Sequence, residues 1–194
     1  MNWGLKLSEE FQIKSDENQN SKDVTRILIA GLYKAGKSSI ALSLKGDNNL
    51  MAYLNLRPTL NTQQIRLNES SKSIIILELP GQQKFHEKNL NDLPNYCFNI
   101  KKVIFVIDIQ EQASYEAAVE YFSSILAKFP VGFKPELLIF LHKFDPNIEK
   151  QAGFSDKEIN SKLLTPLRTI IPKSLEFQIF KTTIYTIFRK TLME

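Results

Sequence analysis

The sequence is poor in the features that mark secreted, membrane-spanning or nucleic-acid-binding chains. Its single cysteine, Cys97, cannot form an internal disulfide, so we expect a reducing, intracellular setting. No apolar run approaches the ~20 residues of a membrane span, and the first residues lack the pattern of a secretory signal. The net charge of +4 is spread along the chain, which favours a solvated surface over a nucleic-acid interface.

The 194 residues, 43% hydrophobic and 24% charged, are enough for one domain with a sizeable core. A wholly polar linker separates an N-terminal extension, residues 1–23, from the domain that we assign to residues 24–194. In the extension, Trp3, Leu7 and Phe11 recur at helical spacing. Packing on the domain or on a partner, or a segment without fixed structure, fits this stripe better than a membrane-surface helix, because the charges beside it cancel.

Strands alternate with helices along the predicted domain. Six apolar segments are the predicted strands: 26–30, 62–67, 73–79, 102–109, 136–142 and 176–181. Four segments have helical patterns: 37–44, 113–129, 155–170 and 183–192. This alternation predicts an α/β fold, with a mostly parallel six-stranded sheet flanked by helices on both faces.

A complete phosphate-binding sequence, G-x-x-x-x-G-K-S, lies between the first predicted strand and the first predicted helix. Its two glycines let the backbone approach a ligand closely, and the loop amides with the helix start form a site for an anion. We expect Lys37 to reach the β- and γ-phosphates and the Ser38 hydroxyl to bind Mg²⁺. The residues assigned to nucleotide contact are Gly31, Lys34, Ala35, Gly36, Lys37, Ser38 and Ser39.

A second motif follows the third predicted strand. Glu78 fills the acidic place of D-x-x-G-Q and would hold Mg²⁺ through a water, while the Gly81 amide would sense the γ-phosphate. Gln82 would orient the attacking water, although the adjacent Gln83 leaves that assignment open. Upstream, Thr59 would close over Mg²⁺. The predicted catalytic residues are thus Gln82, Lys37 and Thr59, and the predicted metal ligands are Ser38, Thr59 and Glu78.

Two later motifs point to the base of a nucleotide. His142, Lys143 and Asp145 end a predicted strand where GTPases carry N-K-x-D. The Asp145 carboxylate would accept hydrogen bonds from guanine N1–H and the 2-amino group, and adenine lacks both donors. A ring N–H of His142 could also reach the base, with the tautomer left open. After the last strand, a backbone amide near Thr183 and Ile184 would meet the guanine O6.

Taken together, these motifs resemble those of the small GTPases of the Ras superfamily, most closely the Rag/Gtr branch, with Arf as the next neighbour. The histidine at 142 and the Thr-Thr-Ile at 182–184 are similar to Rag proteins, and the short interval from Thr59 to Glu78 is similar to Arf. The resemblance implies a P-loop NTPase G domain that binds GTP or GDP with Mg²⁺. It also implies two nucleotide-responsive segments, which we assign to residues 46–63 and 81–95.

The resemblance leaves two functions open. The first is a switch that hydrolyses GTP slowly, because no arginine occupies an obvious position to stabilise the transferring phosphate from within the chain. The second is a nucleotide-loaded assembly module with little hydrolysis; Glu78 in place of aspartate favours it, whereas Gln82 favours the switch. Protein effectors, an exchange factor and an activating protein are the expected partners, with a homo- or heterodimer through the G domain left open. We expect a cytoplasmic protein, and a peripheral position on a membrane through a partner is left open.

Overall fold

The computed structural model describes residues 23–46, 50–68 and 72–184. All six predicted strands are present in these ranges: β1 (Asp23–Gly31), β2 (Gln63–Asn68), β3 (Lys72–Glu78), β4 (Ile100–Asp108), β5 (Glu136–His142) and β6 (Phe177–Lys181). They form one sheet in the order β2-β3-β1-β4-β5-β6, in which only the β2–β3 pair is antiparallel. The carboxyl ends of the parallel strands therefore meet at one edge, where the predicted motifs also lie.

Helices cover both faces of this sheet, as predicted. Their bounds are α1 (Lys37–Leu44), α2 (Leu50–Leu54), α3 (His86–Cys97), α4 (Tyr115–Ala127), α5 (Asp156–Ile159) and α6 (Thr165–Ile170), with a π-helical turn at Asn160–Leu164. Short 3₁₀ segments lie at Gln83–Phe85, Gln112–Ser114 and Ile148–Lys150. None of the described helices has the length and apolar character needed to cross a membrane.

Two helices were not anticipated from the sequence, and one was divided. The short α2 lies in the first segment assigned as nucleotide-responsive, and the polar α3 begins in the second. Helix α3 forms because Leu93 and Cys97 bury one of its faces. The segment predicted as one helix to residue 170 begins with a capping box, in which Ser155 accepts from the backbone N–H of Glu158. The π-helical turn then separates α5 from α6. Most of the predicted last helix, 183–192, and nearly all of the N-terminal extension lie outside the described residues.

The core has two parts, one on each face of the sheet. The larger lies beneath α3, α4 and α6 and contains the fully buried Leu28, Phe105 and Phe122. The smaller lies beneath α1 and contains Ile29 and Ile76 among other branched side chains. Burying both faces requires the continuous apolar strands that the sequence shows. Cys97 belongs to the larger part, where burial raises its pKa to about 11.

Candidate nucleotide-binding site

The loop between β1 and α1 is shaped by two glycines with positive φ. Gly31 (φ +146°) lies against β4 so closely that a Cβ atom would sit 2.3 Å from the Val106 carbonyl oxygen. Gly36 (φ +94°) lies beside the ring of His142, and a Cβ there would be 2.3 Å from its Cδ2. Both positions therefore require glycine for close packing as well as for backbone conformation.

Lys37 holds this loop from within. Its Nζ donates to the carbonyl oxygens of Gly31 (3.0 Å) and Leu32 (2.8 Å), and the side chain is only 5% exposed. Burial lowers the pKa of Lys37 to about 8, although nearby Glu78 opposes the shift. Gly81 approaches the same amine, since a Cβ on Gly81 would lie 2.3 Å from Nζ. The loop and the segment after β3 therefore meet at one cationic group.

Two hydroxyls and one carboxylate meet beside Lys37. The Ser38 hydroxyl donates to Glu78 Oε1 (2.6 Å), and the Thr59 hydroxyl donates to the same oxygen (3.2 Å). Ser38 Oγ and Thr59 Oγ1 are 3.3 Å apart. The structure thus brings together all three residues predicted as metal ligands, from α1, the segment before β2 and the end of β3.

The other oxygen of Glu78 tests whether a cation fits here. Glu78 is 1% exposed, and its Oε2 is the buried side-chain atom without a hydrogen-bond partner among the described residues. An unpaired buried carboxylate oxygen is costly unless a positive charge compensates it. Hydroxyl and carboxylate oxygens are the ligands that Mg²⁺ prefers, so the residues present fit this ion.

A cavity of about 370 Å³ opens onto this cluster. Of the residues predicted to bind nucleotide or metal, those that line it are Lys34, Gly36, Lys37, Ser38, Ser39, Thr59, Glu78, Gly81 and Lys143. Arg57 lines the same cavity, which the sequence analysis did not anticipate although this arginine lies two residues before Thr59. We call this cavity and its lining the phosphate end of the site.

Gln82 is not among the described residues that line the phosphate end. It is half-buried, and the neighbouring Gln83 lines an adjoining cavity of about 650 Å³ between the β1–α1 loop, α3 and α4, together with Ala35. The hydrolytic role of Gln82 therefore stays a prediction.

His142 links the β1–α1 loop to the segment after β6. The side chain is 3% exposed, packs against Gly36, and places Nδ1 3.0 Å from the hydroxyl of Thr182. Burial lowers its pKa, helped by Lys143 and opposed by Asp108 and Asp145. These contacts give the ring a neutral, structural position behind the loop.

Asp145 lies in a separate group of side chains, which we call the base end of the site. Its Oδ1 accepts from the Thr183 hydroxyl (2.6 Å), and its Oδ2 accepts from Gln110 Nε2 (2.7 Å). Gln110 also donates to the Lys143 carbonyl (2.8 Å). Each carboxylate oxygen has a second lone pair, so the two donors orient the carboxylate and leave acceptors for a ligand. Ile184, predicted to lie nearby, is 37% exposed.

Lys143 connects the two ends. Its φ is +61°, its Nζ pairs with Asp108 at 2.5 Å, and its side chain also lines the phosphate end. Asp108 and Gln110 were not identified from the sequence. The available signal was their place at the end of the buried strand β4, on the sheet edge that carries the other motifs.

Comparison with known proteins shows a family match over most of the chain. The sequence model of the family described as the Gtr1/RagA G protein conserved region matches residues 26–190. A search of the curated proteins finds no match.

Several solved structures share the fold. The Arl6 BBS3 small GTPase from Trypanosoma brucei, with bound nucleotide analogue GppNp, is 17% identical with a TM-score of 0.60, over 82% of this chain and 87% of that one. The mammalian SRP receptor is 18% identical with a TM-score of 0.60, over 81% and 90%. The GTP-bound IFT22/74/81 structure from T. brucei is 18% identical with a TM-score of 0.56, over 83% of each chain. At such identities the likeness concerns the fold, and it confirms the predicted G-domain architecture.

Proposed function

Because the chain belongs to the Gtr1/RagA family of G proteins, we propose that it is a molecular switch that binds GTP or GDP with Mg²⁺ and hydrolyses GTP slowly. The predicted Rag/Gtr-like membership with Arf-like neighbours in structure is confirmed. The observation that supports the proposal is the group formed by Ser38, Thr59 and Glu78 beside Lys37. The buried Oε2 of Glu78 has no hydrogen-bond partner among the described residues, and a bound cation would neutralise it.

At the phosphate end, Lys37 and the amides of the β1–α1 loop would hold the phosphates, and Ser38, Thr59 and Glu78 would hold the metal. Mg²⁺, when bound, supplies positive charge that neutralises phosphate oxygens. The Gly81 N–H is the group that would distinguish GTP from GDP, because only GTP has the γ-phosphate that it would contact. Arg57 adds a fourth cationic side chain to this cavity, beside Lys34, Lys37 and Lys143.

At the base end, Asp145 is oriented for guanine. Thr183 and Gln110 fix the plane of its carboxylate, so that two acceptors face a ligand with two adjacent N–H donors. Adenine would leave these acceptors unpaired, and the cost of desolvating them would select against ATP.

Calorimetric titration of the chain with GTP, GDP and ATP, with and without Mg²⁺, tests the proposal. We expect GTP and GDP to bind, ATP not to compete, and removal of Mg²⁺ to weaken GTP binding. Ser38→Asn should weaken GTP more than GDP, because the Mg²⁺ that Ser38 would hold would neutralise the additional charge of the γ-phosphate. Ser43→Asn, an exposed change in the same helix, is the matched control. Equal competition by ATP, or a Ser38 variant with unaltered Mg²⁺ dependence, would contradict it.

Hydrolysis separates the switch from the second candidate, a nucleotide-loaded assembly module. In single-turnover measurements with Mg²⁺, we expect slow release of phosphate from GTP by the wild type. Gln82→Leu should lower this rate and leave GTP affinity nearly unchanged, because its effect is on the position of water. Gln83→Leu is the matched control. No hydrolysis by the wild type, or equal loss in both variants, would favour the assembly module.

Protein partners are proposed for the region around α2. Exposed apolar side chains gather before β2, where Thr59 enters the phosphate end: Met51, Leu54, Leu56 and Leu60. Such a surface beside a nucleotide-dependent threonine suits an effector or an activating protein. The third solved structure above names a complex, IFT22/74/81, which supports assembly with protein partners as a role for this fold. Any contact with a membrane would be made through such a partner.

A further inference from the structure

Gly81 lies between two peptide groups, and each is held by a side chain of α3. Asn89 Nδ2 donates to the Pro80 carbonyl oxygen (2.8 Å). His86 Nε2 lies 3.1 Å from the Gly81 carbonyl oxygen. The first carbonyl belongs to the peptide that carries the Gly81 N–H, and the second to the peptide that carries the Gln82 N–H. The orientation of both N–H groups is therefore set from α3.

These two side chains are joined by a residue of α4. Asn89 Nδ2 also donates to the hydroxyl of Tyr121 (3.0 Å), and the ring of Tyr121 stacks on the His86 ring with centroids 3.7 Å apart. Asn89 is 3% exposed and Tyr121 is 5% exposed. A buried amide that uses both its N–H donors cannot rotate without leaving a polar group unpaired. We name His86, Asn89 and Tyr121 the Gly81 anchor.

The direction of the Gly81 N–H follows from the anchor. A trans peptide group is planar, with its C=O and N–H on opposite sides. Because the Pro80 C=O points to Asn89, the Gly81 N–H points away from α3. Gly81 itself lies against Lys37, since a Cβ would be 2.3 Å from the lysine Nζ and 2.6 Å from the Leu32 oxygen. The N–H is thus fixed on the side away from α3, at a residue in contact with the β1–α1 loop.

We propose that His86, Asn89 and Tyr121 are positioning residues for γ-phosphate recognition, which hold the Gly81 N–H ready for GTP before it binds. The inference rests on the proposed function, because it assigns the N–H to the γ-phosphate. GDP does not reach this N–H, so the anchor should affect the two nucleotides unequally. A role limited to packing α3 on α4 would affect them equally.

The test is the ratio of the affinities of the full chain for a non-hydrolysable GTP analogue and for GDP. Asn89→Leu keeps the size of the side chain and removes both donors. We expect it to weaken the analogue about tenfold more than GDP, the order of effect of one hydrogen bond to a charged group. Asn91→Leu, the same change at an exposed position of α3, should leave the ratio unchanged. A ratio unchanged in both variants would overturn the inference.

Two further measurements keep the test decisive. If Asn89→Leu does not fold, Tyr121→Phe replaces it, because this change retains the ring stack and deletes only the hydroxyl. A lower ratio of analogue affinity to GDP affinity than in the wild type supports the inference, and an unchanged ratio overturns it. If the wild type binds neither nucleotide, the proposed function is contradicted. Hydrogen exchange at the Gly81 and Gln82 amides of the nucleotide-free chain then tests whether the anchor holds these two N–H groups. Faster exchange in Tyr121→Phe than in the wild type supports the anchor, and equal exchange overturns it.

Discussion

At the phosphate end of the site, Lys37, Thr59 and Glu78 are 5%, 9% and 1% exposed, whereas at the base end Gln110 and Thr183 are open to solvent. The side chains of Lys37, Thr59 and Glu78 are enclosed, so their polar groups depend on partners inside the protein, and Glu78 Oε2 lacks one among the described residues. Polar groups of the base end bond to one another while water remains within reach.

Because of this difference in burial, we expect the phosphate end to contribute to folding stability and the base end to the choice of nucleotide base. Disturbing a buried polar group changes the free energy of unfolding, because no water can replace the lost partner. Disturbing an exposed hydrogen bond changes mainly the direction in which a side chain points, since water takes over the bond. Substitutions at the phosphate end should therefore alter folding and binding together, and those at the base end should alter the choice of base with little effect on folding.

The largest effect is expected from Gly36→Ala at the phosphate end. The added Cβ would combine positive φ with a 2.3 Å approach to the His142 ring, so we expect a loss of about 3 kcal/mol in the free energy of unfolding. Gly46→Ala is the matched control, because Gly46 has φ +75° with nothing within 4 Å, and should cost about 1 kcal/mol. Denaturant unfolding of both variants measures the difference. Equal losses would show that the contact with His142 is unimportant.

Asp145→Asn should have the next largest effect, and on binding alone. One acceptor would become a donor that faces the donors of guanine, which we expect to weaken GTP about 100-fold, or ~3 kcal/mol. The free energy of unfolding should change by less than about 1 kcal/mol, because the bonds of Asp145 are exposed. Asp156→Asn, whose side chain is 80% exposed, is the control. If Asp145→Asn lost much stability and no GTP affinity, the assignment of base choice, and not stability, to the base end would be contradicted.

The smallest effect concerns pH and His142, which packs between the two ends. Burial and Lys143 lower its folded-state pKa below 6.5, while Asp108 and Asp145 oppose the shift. The unfolded chain therefore binds a proton first as pH falls, and stability should decrease below pH 6.5 by at most about 1.4 kcal/mol per pH unit. His142→Asn should reduce this slope when unfolding is compared at pH 7.5 and 5.5. Burial lowers the pKa of His86 as well, so the comparison is made in a His86→Gln background, where, of the two histidines, only His142 remains to titrate. If the dependence of stability on pH were unaltered in His142→Asn, it could not be assigned to protonation of His142.

The sequence was sufficient for the features that depend on local pattern. Continuous apolar runs located β4 and β5, and the glycine-rich loop identified the turn into α1. Strand ends located Glu78 and Asp145, because parallel strands bring such ends to one edge. Each of these patterns lies within a short stretch of sequence, so it can be recognised without knowing which residues pack against it.

What the sequence could not supply depends on neighbours distant along the chain. Helix α3 was not predicted, because its stability comes from Leu93 and Cys97 in the core and not from helix propensity. His86 is half-buried and stacks on Tyr121 of α4, a contact between residues far apart in the sequence. The bond from Gln110 to Asp145 joins the ends of two strands, and no spacing in the sequence indicates it.

Pro94 lies inside α3, between Leu93 and Cys97. Proline has no N–H, so the helical hydrogen bond to the Leu90 carbonyl is missing at this point. The last turn stays in the core through Cys97, which is 4% exposed, while the first turns carry His86 and Asn89. The helix is therefore one backbone hydrogen bond short between its first turns, which carry two residues of the Gly81 anchor, and its last turn, which is held in the core.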